Sequence, residues 1–269
     1  MKNLLNYAII LTLSLVVFGC GGLTTIDKDS EEYDYIERNR KKITTYKGVP
    51  FSGTVVKYYK NGQLKTKDTY KEGKKDGVWE RYHENGQLDT KETYKDRERD
   101  GVREEYYENG QLDRKETYKD GERDGLEEKF FENGQLSKKI TWKDGKTDGV
   151  REEYHRNGQL HTKQTFKEGK KNGFWEAYYE DGQLMNKETY KDGEKDGVWE
   201  RYFDNGQLDR KETYKEGKKN GVYEQYYTNG QLHIKTTYKD GEKDGVWETY
   251  WENGKLDRKD TYKDGRMVN

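Results

Sequence analysis

The sequence predicts an all-β chain: an elongated meander of stacked antiparallel β-hairpins, built from 24-residue units into a single-layer, solenoid-like sheet. Three observations predict it. An Asn-Gly pair at Asn61-Gly62 returns every 24 residues as far as Asn253-Gly254, nine times in all, with Asp181 the one replacement for Asn. A fixed period over most of a chain marks a repeat array, whose units gain stability by stacking on their neighbours. Runs rich in Val, Trp, Tyr and Thr flank each pair, the strongest short-range hairpin signal. Glycines then recur too often for a helical apolar stripe to survive.

Taken in order, the chain starts with an address. Met1-Lys2-Asn3 precedes an apolar run from Leu4 to Phe18 and then Gly19-Cys20. A basic start, an apolar stretch and a small residue before a cut describe a secretory signal peptide over residues 1–19. The run is too short for a comfortable membrane span. Val17-Phe18-Gly19-Cys20 resembles the bacterial lipobox, whose cysteine becomes the lipidated first residue; the bulk of Phe18 departs from that pattern. Cys20 is the only cysteine, so no disulfide supports the exported part. The expected location is the cell envelope, with a membrane anchor through lipid on Cys20. Gly21 leans, by the same resemblance, toward the outer membrane of a diderm.

Residues 20–39 are polar and charged and read as a tether, with room for a short helix over Ser30 to Arg38. Residues 40–269 form the array. Arg40 to Tyr46 matches the second strand of a unit, with Thr45 and Tyr46 in register with Thr69 and Tyr70. That segment reads as a degenerate cap protecting an edge strand, ahead of nine hairpin units.

Four slots recur in the units and form the expected core. One follows a strand glycine (Val78, Val102, Val150), and one is the aromatic four residues on (Tyr82, Tyr106, Phe130). The third is the leucine after the turn, such as Leu88, and the fourth the aromatic six residues later, such as Tyr94. Two registers are open. A two-residue turn puts Glu80 opposite Lys91 as an ion-pair ladder, whereas a three-residue turn with a glycine bulge gathers Val78, Tyr82, Leu88 and Tyr94 on one face. The second is expected because it collects the apolar slots. A second turn falls at Glu72-Gly73 and its equivalents, where Arg97 replaces Gly and points to a longer or more mobile turn.

At 39% charged and 29% hydrophobic, composition alone suggests disorder, but 14% aromatic residues at fixed slots overrule it. Strand spacing implies an array of roughly 90 Å before twist. With 52 basic and 53 acidic residues interleaved and no basic stripe, nucleic acid is not expected as a partner.

The motif Gly-Val-Trp-Glu-x-Tyr-x-x-Asn-Gly-Gln-Leu, followed by Tyr-Lys-x-Gly-Lys-x-Asp-Gly, resembles the MORN-repeat variant of bacterial proteins, including the YwqK-type antitoxin group. Gly48 to Gly53 resembles that family's usual opening. The resemblance implies a hairpin array used for protein or membrane contacts and, in some relatives, for neutralising a toxin.

No residue set suggests chemistry. The histidines His83, His155, His161 and His233 sit in repeat slots, and only His155 and His161 flank one turn. No serine has a base nearby in sequence, and acidic pairs on a solvated strand read as surface. Catalytic residues, metal, cofactor and small-molecule substrate are therefore not expected. The slot after Val78 holds Trp79, then Arg103, Glu127 and Arg151, then Trp175, Trp199, Tyr223 and Trp247. That last row is either packing on a thin sheet or, if it faces away from the core, a contact stripe extended by Tyr179, Phe203, Tyr227 and Trp251. Trp175, Trp199, Tyr223 and Trp247 are the candidate partner-binding residues. The expected function is a lipid-anchored, non-enzymatic scaffold binding a protein or an envelope polymer such as a glycan. Toxin neutralisation is the alternative that the resemblance supplies.

Overall fold

The computed structural model describes residues 24–29, 33–38 and 41–268, so the leader and Cys20 lie outside the described residues. Among the described residues every regular element is a strand. An open 23-stranded sheet carries the repeats as an antiparallel meander, each strand pairing with the next in sequence. Its first strand, β1 (Thr24–Asp27), is the exception and lies parallel to β5 (Gly53–Tyr58). Strands β2 (Tyr33–Arg38), β3 (Lys41–Tyr46) and β4 (Val49–Pro50) make a small separate sheet. The repeats then run through β6 (Leu64–Lys71), β7 (Lys74–Tyr82), β8 (Leu88–Lys95) and β9 (Glu98–Tyr106), and on in the same order to Arg266–Met267.

The N-terminal expectations need two corrections. Over residues 33–38 a strand stands where a helix over Ser30 to Arg38 is expected: Tyr33–Arg38 pairs with Lys41–Tyr46, from Tyr33 opposite Tyr46 to Arg38 opposite Lys41. The tether stretch also contains β1, whose Ile26 is buried with Phe51, Val55 and Tyr70 in a small apolar core flanked by Tyr46 and Trp79. Both segments gain more from pairing and burial than a short charged helix could.

The expected register is also corrected. The Asn85-Gly86 turn is a three-residue loop: the His83 amide donates to the Gln87 carbonyl, the Gly86 amide donates to the His83 carbonyl, and Gly86 sits at φ +86°. Asn85 Oδ1 accepts the Gln87 amide at 2.9 Å, and Asn85 Nδ2 donates to the Glu108 carbonyl of the next unit at 2.9 Å. Tyr82 therefore opposes Leu88, as a three-residue loop requires. A second bulge then leaves Asp89 unpaired, so Arg81 opposes Thr90 and Glu80 opposes Lys91. One extra residue flips all that follows to the other face.

The sheet consequently has a valine face with Val78, Glu80, Tyr82, Lys91 and Thr93, and a tryptophan face with Trp79, Arg81, Thr90, Glu92 and Tyr94. The four expected core slots are split between them. Val78 is 37% exposed and Phe174, in the same slot, 54%. On the valine face Tyr82 Oη donates to Glu80 at 3.0 Å, and the same bond recurs from Tyr106 to Glu104 and from Tyr202 to Glu200. Lysine of the following strand completes the ladder, as in Lys115–Glu104 at 3.5 Å and Lys211–Glu200 at 3.4 Å. Burial and the bond to Glu80 push the Tyr82 phenol up to about 12, so it stays a donor.

The opposite turns need positive φ at both central residues, Asp96 at +47° and Arg97 at +83°. Arg97 keeps the two-residue turn, with Lys95 opposite Glu98, so the loop is not lengthened. Its guanidinium donates to the Lys42 carbonyl at 3.3 Å, tying the turn to the small sheet. Gly101 shows why a glycine opens each unit: at φ +115°, a Cβ there would lie 3.1 Å from the Thr93 Cβ.

Candidate functional site

The tryptophan face carries the candidate row. Three columns meet there: a cation at the Lys75 slot, the residue at the Trp79 slot and the aromatic at the Tyr94 slot. In the C-terminal units they form a repeating sandwich. Trp175, Trp199, Tyr223 and Trp247 are half-buried. Trp199 lies 5.4 Å from Tyr190 and 5.1 Å from Tyr214, both tilted. Trp175 contacts Tyr190 at 6.2 Å, Tyr223 contacts Tyr238 at 6.0 Å, and Trp247 contacts Tyr262 at 5.5 Å. Each ring also carries an ammonium: Lys171 at 3.9 Å from Trp175, Lys195 at 3.6 Å from Trp199, Lys219 at 4.9 Å from Tyr223 and Lys243 at 3.0 Å from Trp247. Tilted ring pairs and cation–π contacts each add roughly 0.5–1.5 kcal/mol beyond area burial. Burial holds the Lys243 ammonium below the usual lysine value.

In the middle units the same slot is charged. Arg103 donates to Glu92 at 2.8 Å, to Glu116 at 2.8 Å and to Glu105. Arg123 reaches Glu116 at 2.7 Å, and Glu116 is only 1% exposed. Burial raises the Glu116 carboxyl, but the Arg103 hydrogen bond and the charges of Arg123, Arg103 and Arg114 outweigh it and hold the pKa below the ordinary value. Glu188 occupies the same slot beside Trp199. There burial prevails over the Tyr190 bond and the charges of Lys171 and Lys195, and its pKa is raised. Asp68, again in that slot, is pushed up to about 6 by burial despite Lys28, Lys75 and Arg81.

The stripe's expected extension lies along the turn-side end of the same face, where it staples units together. Tyr179 Oη donates to the Tyr202 carbonyl at 3.1 Å and Tyr227 Oη to the Tyr250 carbonyl at 2.9 Å, while Trp251 is 57% exposed. His83 and His155 replace those tyrosines functionally, with Nε2 3.2 Å and 3.3 Å from the Tyr106 and Tyr178 carbonyls. The structure brings His155 and His161 together, ring centroids 4.3 Å apart, and stacks His233 on Tyr227. Among the described residues, no group of three or more His, Cys, Asp or Glu side chains is placed to hold a metal ion. The carboxylate column (Asp68, Glu92, Glu116, Glu188, Glu212) and the cation column escaped the sequence reading. A basic residue four positions before every Trp79-type slot from Trp79 to Trp247 except that of Arg151, where Thr147 stands, was the available signal.

Two solved structures resemble part of this fold. The crystal structure of TcdB2-TccC3-Cdc42 aligns over 87% of this chain at 15% identity, with a TM-score of 0.22. That of TcdB2-TccC3 aligns over 77% at 17% identity, with a TM-score of 0.21. This chain spans 15% and 14% of those chains. No curated protein matches it. The family model described as "MORN repeat variant" matches nine consecutive stretches, 52–72, 75–96 and then every 24 residues to 243–264. Across most of its length, then, this chain belongs to the MORN repeat variant family.

Proposed function

We propose that the chain is a non-enzymatic binding scaffold, exported and held at the cell envelope by lipid on Cys20, whose row Trp175, Trp199, Tyr223 and Trp247 contacts a protein or an envelope polymer. One observation carries the reading. The slot keeps the same strand pairing with Arg103, Glu127 and Arg151, so the sheet does not require an aromatic there. Yet four consecutive units supply one, each with a lysine over the ring. Half-exposed aromatic and cationic groups at a regular pitch suit recognition of an extended partner better than of a small molecule.

The contact is tested by capture from envelope extracts with Trp199→Ala and Trp247→Ala, followed by circular dichroism. Weakened capture with an intact β signal supports the row; unchanged capture, or collapse of the fold, removes it. Mass spectrometry of the mature N-terminus tests the anchor, with diacylglycerol expected on Cys20. Neutralisation of a toxin rests on the family resemblance alone, and co-expression with a toxin encoded next to it is its test.

A further inference from the structure

Charge along this chain is segregated in a way that its near-zero total conceals. From Thr24 to Lys75 there are 13 Lys and Arg against eight acids, a net of +5, and 12 of those bases fall between Arg38 and Lys75, where Asp68 and Glu72 are the only acids. Residues 76–200 hold 24 basic and 32 acidic side chains, a net of −8. The expectation of charges interleaved throughout therefore fails at one end of the array. That end comprises the small sheet and the first hairpin.

Its exposed lysines surround the end rather than line one plane. Lys42 and Lys47 lie on the small sheet, Lys60 and Lys65 beside the Asn61-Gly62 turn, Lys67 on the valine face and Lys71 at the opposite rim. Tyr58 is 48% exposed in the same region, while the Lys42 ammonium lies 3.3 Å from the centroid of the Tyr35 ring. A flat bilayer would meet only some of these lysines at once, whereas a flexible polyanion can follow all of them. The exposed Tyr58 ring adds a surface on which the apolar face of a sugar ring packs.

We propose that the N-terminal end of the array docks a flexible anionic polysaccharide of the uronate type. This deepens the envelope-scaffold reading and rests on it, while placing a second contact at the opposite end from the tryptophan row. A field from the five excess positive charges of residues 24–75 draws such a polymer in and is screened by salt.

The test titrates polygalacturonate against the purified full chain at low and high salt. The variant combines Lys42→Gln, Lys60→Gln, Lys65→Gln and Lys71→Gln; its control removes as much charge elsewhere, with Lys143→Gln, Lys167→Gln, Lys191→Gln and Lys215→Gln. The wild type should bind at low salt and weaken by about tenfold or more at high salt. The N-terminal variant should lose about tenfold, and the control less than about twofold. Equal losses in both variants, no binding at low salt, or binding confined to anionic vesicles or single-stranded DNA would each overturn the proposal. An unacylated Cys20 in the mature protein would instead count against the envelope reading, independently of the titration.

Discussion

The units around Arg103 and Trp199 occupy the same place in the repeat, yet they are held together by different chemistry. Both residues lie between two glutamates, Glu92 and Glu116 in one case, Glu188 and Glu212 in the other. Arg103 ties its pair into a charged cluster. Trp199 packs between Tyr190 and Tyr214 under the Lys195 ammonium, and its Nε1 donates to the Thr189 carbonyl at 3.1 Å. The backbone is indifferent to the exchange because turns, bulges and the Thr–Gly approach set the spacing. The slot is left free to vary.

The largest expected effect comes from removing the carboxylate that the charged units share. Glu116→Ala leaves Arg103 and Arg123 without their buried partner and should cost about 3 kcal/mol. Urea denaturation read together with hydrogen exchange in β9 and the strand Leu112–Lys119 measures it. A loss under about 1 kcal/mol would mean that the cluster is solvated and the contrast superficial.

Asp68 tests the same column where no arginine occupies the adjoining slot. Its folded-state pKa of about 6 exceeds the ordinary aspartate value, so its charge destabilises the fold progressively as pH rises from about 4 to about 6, and fully above that. Asp68→Asn should therefore gain about 2 kcal/mol at neutral pH and nothing near pH 3. A pH-independent difference would assign the effect to packing.

Trp199→Arg converts one unit into the other. The new guanidinium would sit between Glu188 and Glu212, so stability should change by less than about 1 kcal/mol while the Glu188 pKa falls below the ordinary value. Carboxyl NMR titration reads that shift directly. A Glu188 pKa that stays high would show that the charged cluster needs its whole neighbourhood, not one residue.

The smallest effect is a local difference with pH. Glu116 is held low, so its stabilisation is present at neutral pH and lost as pH falls through its folded-state value. Glu188 is raised, so acidification relieves a cost there. Between pH 7 and about pH 3, exchange protection corrected for intrinsic rate should fall more in Leu112–Lys119 than in Leu184–Lys191. Equal changes would erase the distinction.

Much of this was legible in the sequence. Gly86 and Gly73 named their turns because positive φ restricts the residues that fit. The bulge at Asp89 was hidden: its slot holds Lys65, Asp113, Ser137, His161 and Met185, which share no chemistry, and a bulge needs none. Without that bulge Val78 and Tyr94 look like neighbours, which is why the core slots were grouped on one face. The strand at Tyr33–Arg38 was equally hidden, since its charges alternate too freely to prefer strand over helix. The tryptophan row was found, but its lysine partners stand four residues earlier in each unit and emerge only when the units are compared column by column.

The Asn85 side chain has a consequence beyond its own hairpin. It hands a donor to a main-chain carbonyl of the unit ahead, and Asn61, Asn109, Asn157, Asn205 and Asn229 do the same. A main-chain acceptor makes no demand on the identity of the neighbouring residue. A gain or loss of one whole unit thus keeps this joint wherever the turn at the new junction carries such an Asn. The protein can be lengthened or shortened by two strands in a single genetic event, and its reach is open to selection without any new interface having to evolve.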